Sequence, residues 1–358
     1  MCPDSDIVVT DFHPRTSDGW QLELKRYRLR APSPADSAPA SLPVVLCHGF
    51  SCNARFWDLT DDVSFARYLA RRGYDVWVPS LRGSGSGAKP LLFIFREIFQ
   101  FKAPLFRRPG LLHSLGPGWN FDDHVLGDLP AIIDAVKRAT ARSKVIWVGH
   151  SMGGLAMYAY LERSGRDDVA AFVALASPIH LPQPPNRGYR LAVRSRTLVR
   201  LGRTLFNNQV FAGIGILTGR VSMDYMWWSR RNVRASVVRA FYRNVIDDVP
   251  EGLLEQLSTT VLTGSLWSAD GSFNYTAGLA RVTVPILCVA GKVDNICDPA
   301  DVRFACENAG SADKTCMEMG RADGFSADYG HLDLILGRNA SNEVFPLIAD
   351  WLSRHNRT

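Results

Sequence analysis

From residue 44 onward the chain alternates between two kinds of apolar pattern. Short, mostly apolar runs recur at Val44-Val45-Leu46-Cys47, Tyr74-Asp75-Val76-Trp77-Val78, Val145-Ile146-Trp147-Val148, Ala171-Phe172-Val173-Ala174-Leu175 and Pro285-Ile286-Leu287-Cys288-Val289. Between the first four lie stretches with apolar residues every three or four positions, at 64–72, 129–140 and 154–163. The short runs predict strands buried on both faces, the condition of a parallel sheet, and the spaced stretches predict helices. Their alternation predicts an α/β fold with a mostly parallel, doubly wound sheet. Ahead of it, residues 7–12 and 21–28 flank the turn Ser17-Asp18-Gly19 and read as an N-terminal hairpin, and the Pro/Ala/Ser-rich stretch 31–43 reads as a loop.

Two stretches break the alternation. Residues 89–118 carry Leu91-Leu92-Phe93-Ile94-Phe95, Ile98-Phe99 and Phe101, interrupted by Arg96, Lys102, Arg107 and Arg108. Residues 181–280 open on Pro182, Pro184 and Pro185, continue through a basic helical section, and contain Tyr225-Met226-Trp227-Trp228. An insertion between the sixth and seventh sheet strands is where a cap would sit. The expected organisation is one domain: a core of residues 1–180 and 281–358, a cap at 181–280, and an additional insertion at 89–118.

One pentapeptide carries chemistry. Gly149-His150-Ser151-Met152-Gly153 follows a predicted strand and precedes a predicted helix. Strand, G-x-S-x-G and helix form a nucleophile elbow, which holds a serine hydroxyl clear of the backbone on a turn that small neighbours permit. The helix N-terminus behind it favours negative charge. A serine hydroxyl also needs a base, a group to orient the base, and donors for an oxyanion. Along an elbow-containing chain the partners follow in the order Ser, Asp or Glu, His. Asp294 ends Gly291-Lys292-Val293-Asp294 after a predicted strand; Asp298 and Asp301 compete, and spacing after Gly291 favours Asp294. His331, in Tyr329-Gly330-His331-Leu332-Asp333, is the expected base, since His180 closely follows strand six and His355 lies in the C-terminal tail. The expected oxyanion donors are the backbone amides of Phe50, in His48-Gly49-Phe50, and of Met152. His150 reads as a packed elbow residue and His48 as a shaper of the oxyanion loop. Asp328 and Asp333 read as solvated or capping.

Composition narrows the setting. With 358 residues, 46% hydrophobic and 21% charged, the chain can bury one large core. A net charge of +6 is too mild to argue for nucleic acid, and no nucleic-acid motif is present. The opening Met1-Cys2-Pro3-Asp4-Ser5-Asp6 has neither a basic region nor an apolar core, and no apolar stretch reaches membrane-spanning length, so a cytoplasmic setting is expected. Seven cysteines lack CxxC spacing. Cys47 and Cys288 are expected as buried small hydrophobes; Cys297, Cys306 and Cys316 lie close enough in sequence to pair in an oxidising compartment, but the cytoplasmic setting favours reduced thiols. No Cys/His set has zinc-site spacing, so neither a metal nor a cofactor is expected.

These motifs together resemble the α/β-hydrolase family over nearly the whole chain. Two stretches look like its acid-lipase-like branch: Trp119-Asn120-Phe121-Asp122-Asp123 leading to Asp128 through Asp134, and Tyr329-Gly330-His331-Leu332-Asp333 with Phe345-Pro346 and the terminal helix. The resemblance implies the α/β-hydrolase fold and a serine ester hydrolase with Ser151, Asp294 and His331 as its triad. The expected substrate is a small hydrophobic ester, cleaved through an acyl-enzyme. The same machinery serves an acyltransferase or thioesterase, and a non-catalytic binding protein on this fold is the remote reading. Residues 89–118 depart from the family pattern. They read as a packed cap helix or, alternatively, as a helix resting on lipid, which would add peripheral membrane association. Phe95, Trp227 and Trp228 are candidates to line a substrate pocket.

Overall fold

The apolar runs become the inner strands of one eight-stranded sheet in the computed structural model, which describes residues 6–30, 41–85, 118–181, 224–229, 231–247 and 249–356. Its strands are β1 (Ile7–Phe12), β2 (Glu23–Leu29), β3 (Val44–Cys47), β4 (Val76–Ser80), β5 (Val145–His150), β6 (Val169–Leu175), β7 (Ile286–Gly291) and β8 (Lys314–Met319). Spatial order is β1-β2-β4-β3-β5-β6-β7-β8. The hairpin β1–β2 pairs antiparallel from Ile7↔Leu29 to Phe12↔Leu24, and β2 pairs antiparallel with β4. Every other pairing in this sheet is parallel. Strand four starts at Val76 rather than Tyr74, since the Tyr74 amide still donates to Leu69 O at the end of the preceding helix, at 3.2 Å.

The chain runs outward from β3 to β4 and returns to β5 on the other side of β3. Such a reversal opens a crevice at the carboxyl ends of the two flanking strands, where α/β sheets hold their ligands. Register aligns Cys47 with Gly149, so the loop 48–50 and the Ser151 elbow leave the sheet side by side. The segments holding Asp294 and His331 follow β7 and β8, which run parallel to β5 and leave the sheet at the same end. All residues of β3, β4, β5 and β7 are buried, as parallel strands covered on both faces should be.

Helices cover the two faces. Helix α1 (Phe65–Arg71) is capped by Ser64, whose hydroxyl accepts the Arg67 amide, and α2 (Leu129–Thr140) buries Leu129, Ile132, Ile133 and Val136. Helix α3 (Met152–Arg163) starts at Ser151 and is buried along most of its length. In the described part of the 181–280 insertion, α4 (Ala235–Asn244) buries Val237, Val238, Phe241 and Tyr242, and α5 (Glu251–Thr263) ends at Gly264 in the left-handed conformation. Asp298 caps α6 (Pro299–Asn308), and α7 (Ala340–His355) closes the chain. The 89–118 stretch, including Phe95, lies outside the described residues apart from Gly118. Among the described residues no helix is long and apolar enough to cross a membrane.

Cysteine usage differs in one respect from the sequence expectation. Cys47, Cys288 and Cys297 are free and buried, but Cys306 and Cys316 form a disulfide. Helix α6 turns directly into β8, which brings their Cα atoms within 6.3 Å, inside the range a disulfide spans. Reducing this bond, which closes a short loop 10 residues apart in sequence, is expected to lower stability by about 2–3 kcal/mol. Guanidinium denaturation with and without reductant measures this; coincident curves would show that the crosslink adds nothing.

Candidate active site

Ser151 sits at φ 51 and ψ −120, a backbone conformation that non-glycine residues rarely adopt. Strain of this kind costs about 1–3 kcal/mol and persists only where the surroundings over-determine it. Here the Ser151 amide donates to Leu175 O at 2.8 Å, and the Ser151 carbonyl accepts the amides of Gly154 and Leu155. Gly149 and Gly153 let the turn close. A Cβ on Gly149 would lie 2.5 Å from the backbone of Gly153 and Gly154, and one on Gly153 would lie 2.6 Å from the Cys47 and His48 carbonyls. The G-x-S-x-G spacing is therefore a packing requirement of the β5–α3 junction.

The loop after β3 is fixed by a neutral imidazole. Leu81 N–H donates to His48 Nε2 at 3.1 Å, so the ring proton is on Nδ1, which donates to Gly49 O at 2.8 Å. Burial pushes His48 down to about 4, which keeps this tautomer uncharged. Beyond it, Ser51 Oγ donates to Asp247 O, and Asn53 Nδ2 reaches Asn244 O and Asp247 Oδ2. The oxyanion loop is thus tied to the end of α4. Among the described residues no protein acceptor takes the amide of Phe50 or of Met152. A narrow crevice with room for little more than a water molecule lies beside them, lined by His48, Gly49, Ser51, Arg82, Met152 and Leu253 among others.

Asp294 and His331 come together as the sequence order predicts. His331 Nδ1–H donates to Asp294 Oδ2 at 2.7 Å, with both residues buried. The other carboxylate oxygen accepts the amides of Ile296 and Cys297 at 2.8 and 3.0 Å. Burial alone would raise the Asp294 carboxyl; the charge and hydrogen bond of His331, with the Cys297 donors, hold it below the usual carboxylate value. The pair lies beside the elbow because His150 Nε2–H donates to the His331 carbonyl at 2.9 Å and the two rings approach to 4.9 Å. Burial pushes His150 down to about 3, so it packs as a neutral spacer. Asp301, a competitor for the acid role, instead faces His180 at 4.0 Å, and Asp298 caps α6.

The sequence reading of Asp333 as solvated or capping is corrected. Its side chain is fully buried, accepting Gly330 N–H at 2.7 Å and the Asn232 side-chain amide at 2.8 Å. Leu332 N–H donates to Trp227 O, and Arg338 N–H to Asn232 O. These bonds clamp the His331 loop to Trp227 and Asn232 of the insertion. Trp228, a pocket candidate, is buried against Phe241 and Tyr242, with ring centroids at 5.7 and 6.2 Å. Trp227 is half-buried, and what reaches the His331 loop is its carbonyl.

The Trp119–Asp123 motif works structurally. Asn120 caps the turn Phe121–Asp123 in a reciprocal box with Asp123, and the next turn places Asp128 in the core. There Asp128 accepts from Arg82 Nε at 2.7 Å and from His124 Nδ1 at 2.7 Å, while Arg82 Nη1 reaches Asp18 at 2.7 Å. Removing Arg82 or Asp128 would leave a charge of the buried pair without its main partner. No sequence signal pointed to Arg82, which lies in a loop. Among the described residues, one His/Cys/carboxylate group has ligand atoms close enough for a metal, Asp294, Cys297 and His331. Its atoms are already joined by hydrogen bonds.

The fold agrees with comparisons to known proteins. A family model described as "Alpha/beta hydrolase family" matches residues 44–322, and the chain belongs to that family. Triacylglycerol lipase 2 of Arabidopsis thaliana is 23% identical, the alignment covering 99% of this chain and 85% of the relative. Lipase lipl-3 of Caenorhabditis elegans is 30% identical over 41% of this chain and 33% of its own length. Among solved structures, a thermophilic esterase from Thermogutta terrifontis superposes with a TM-score of 0.61 at 17% identity, covering 98% of this chain and 99% of that one. A monoacylglycerol lipase from Paleococcus ferrophilus superposes at 0.55 and 18% identity, over 88% of this chain and 96% of its own. These two likenesses speak to the fold. The family and its relatives give the broad class, a hydrolase of the esterase and lipase kind.

The clamp on the His331 loop makes two measurable claims. Asp333→Ala leaves the Gly330 amide and the Asn232 side chain unpaired in the core, and is expected to lower stability by about 2–4 kcal/mol in chemical denaturation. Burial also pushes Asp333 up to about 7 from 3.8, so the folded chain holds a proton that the unfolded chain releases. That contribution to stability is complete below the unfolded value and is lost as pH rises toward the folded one. Asp333→Asn, which cannot ionise, should flatten stability across this window; an unchanged slope would contradict the assignment.

Proposed function

We propose that the chain is a serine carboxylic-ester hydrolase of hydrophobic substrates, with Ser151 as nucleophile, His331 as general base and Asp294 as the group that orients it. One observation carries this reading: a serine on a strained strand-to-helix turn, beside a buried Asp–His pair joined at 2.7 Å. The Nδ1–H of His331 is committed to Asp294, so Nε2 is the ring nitrogen left to act. Nε2 takes the Ser151 Oγ proton as the oxygen attacks the ester carbonyl, then delivers it to the departing alcohol. Asp294, held ionised, fixes the tautomer and stabilises the imidazolium. The amides of Phe50 and Met152, with the α3 N-terminus behind them, receive the oxyanion. Water attacks the acyl-enzyme by the same route and releases the acid.

The lipase names of the full-length relatives support an acyl substrate of some length. We assign residues 181–280 as the cap that sets chain-length preference. Ser151→Ala and His331→Ala should each lower kcat for p-nitrophenyl esters by about 10³-fold or more. Rates across esters of rising chain length, measured on wild type and both variants, test this; a Ser151→Ala protein that retains its rate would sink the assignment.

A further inference from the structure

We propose that Cys297 is a positioning residue for the acid–base pair: its thiol donates to the same Asp294 oxygen that receives the His331 Nδ1 proton, and so sets how strongly Asp294 backs the imidazole. The inference rests on the triad reading above and deepens it.

The geometry is a triangle of three polar atoms. Cys297 Sγ lies 3.0 Å from Asp294 Oδ2, His331 Nδ1 lies 2.7 Å from the same oxygen, and Sγ and Nδ1 are 3.8 Å apart. The thiol has one proton and two acceptors in reach, Asp294 Oδ2 and Ala176 O at 3.5 Å. The carboxylate is nearer and charged, so it takes the proton. Burial pushes the Cys297 thiol well up, which keeps it a donor rather than a thiolate. Asp294 therefore receives two amides on Oδ1, and a thiol and an imidazole on Oδ2.

These four donors are not equivalent. The two amides belong to the turn that builds the site, and the imidazole is the proposed base. Cys297 is the one donor that a side-chain change can remove while leaving turn and base in place. A donor sharing Oδ2 draws charge from it and weakens its hold on an imidazolium. The other titratable groups near His331 are His150, at the end of β5, and Asp333, just after it in sequence. His150 is neutral, and Asp333 faces Gly330 and Asn232 instead. The thiol is thus the adjustable contact on the Asp294–His331 pair. Nothing in the sequence pattern announced this: Cys297 read as one of three closely spaced cysteines, with no tie to Asp294.

Cys297→Ala and Cys297→Ser in the full chain separate positioning from packing. The acid limb of kcat/KM reports the base of the free enzyme. With the thiol gone, the undivided carboxylate stabilises the imidazolium more, and the midpoint of that limb should rise by about half a pH unit. Serine keeps a donor and should restore the wild-type midpoint. The far-downfield proton resonance of His331 Nδ1–H, recorded in a Ser151→Ala background, should move in Cys297→Ala and return in Cys297→Ser. A rate loss equal at every pH, with midpoint and resonance unmoved, would overturn the proposal, as would alanine and serine variants that behave alike. The resonance does not depend on turnover, so it tests Cys297 even if Ser151 proves not to be the nucleophile.

Discussion

Everything at this site depends on one strained residue. Ser151 holds a positive φ that its own side chain disfavours, and strand β5, helix α3 and the neighbouring loop exist in the register that keeps it there. The strain is offset by burial on both sides: β5 is wholly covered, and α3 is buried over most of its length. Two glycines are needed because the helix start and the β3 loop approach within 2.6 Å of where side chains would begin. The same closeness brings the amide-bearing loop 48–50 beside the hydroxyl. A looser turn would lose both at once.

Around this turn the protein uses buried histidines as neutral spacers. His48 and His150 each lie in the core, each is pushed far down by burial, and each donates to one carbonyl of the site. Their rigidity matters because His331 must present one nitrogen while the other is committed. Asp294 supplies that commitment, and Asp333 fixes the loop from the opposite side through Gly330. The clamp crosses to Asn232 and Trp227, so part of the insertion helps hold the base as well as bordering the crevice.

The fold was largely legible because it rests on local patterns. Each buried strand announces itself as a short apolar run, and the elbow, the Asp294 turn and the His331 loop follow their strands in fixed order. What escaped sequence reading is non-local. Arg82 and Asp128 are 46 residues apart and meet only through the fold. Asp333 looks like any exposed acid until Asn232, 101 residues away, comes to meet it. The Cys306–Cys316 bond is different: spacing allowed a pairing among Cys297, Cys306 and Cys316, but the expected reducing setting argued against it, and only the tight return from α6 to β8 selects this pair. The packing of Trp228 was hidden for a similar reason: its partners, Phe241 and Tyr242, belong to a helix whose orientation no periodicity specifies.

The central claim is that the strained elbow makes Ser151 a nucleophile served by His331. A fluorophosphonate probe reacts with an activated serine and leaves a stable adduct that peptide mass spectrometry can locate. The account predicts a single adduct on the peptide containing Gly149-His150-Ser151-Met152-Gly153, lost in Ser151→Ala and strongly slowed in His331→Ala. An unlabelled wild-type protein, or an adduct mapped to another serine, would contradict it.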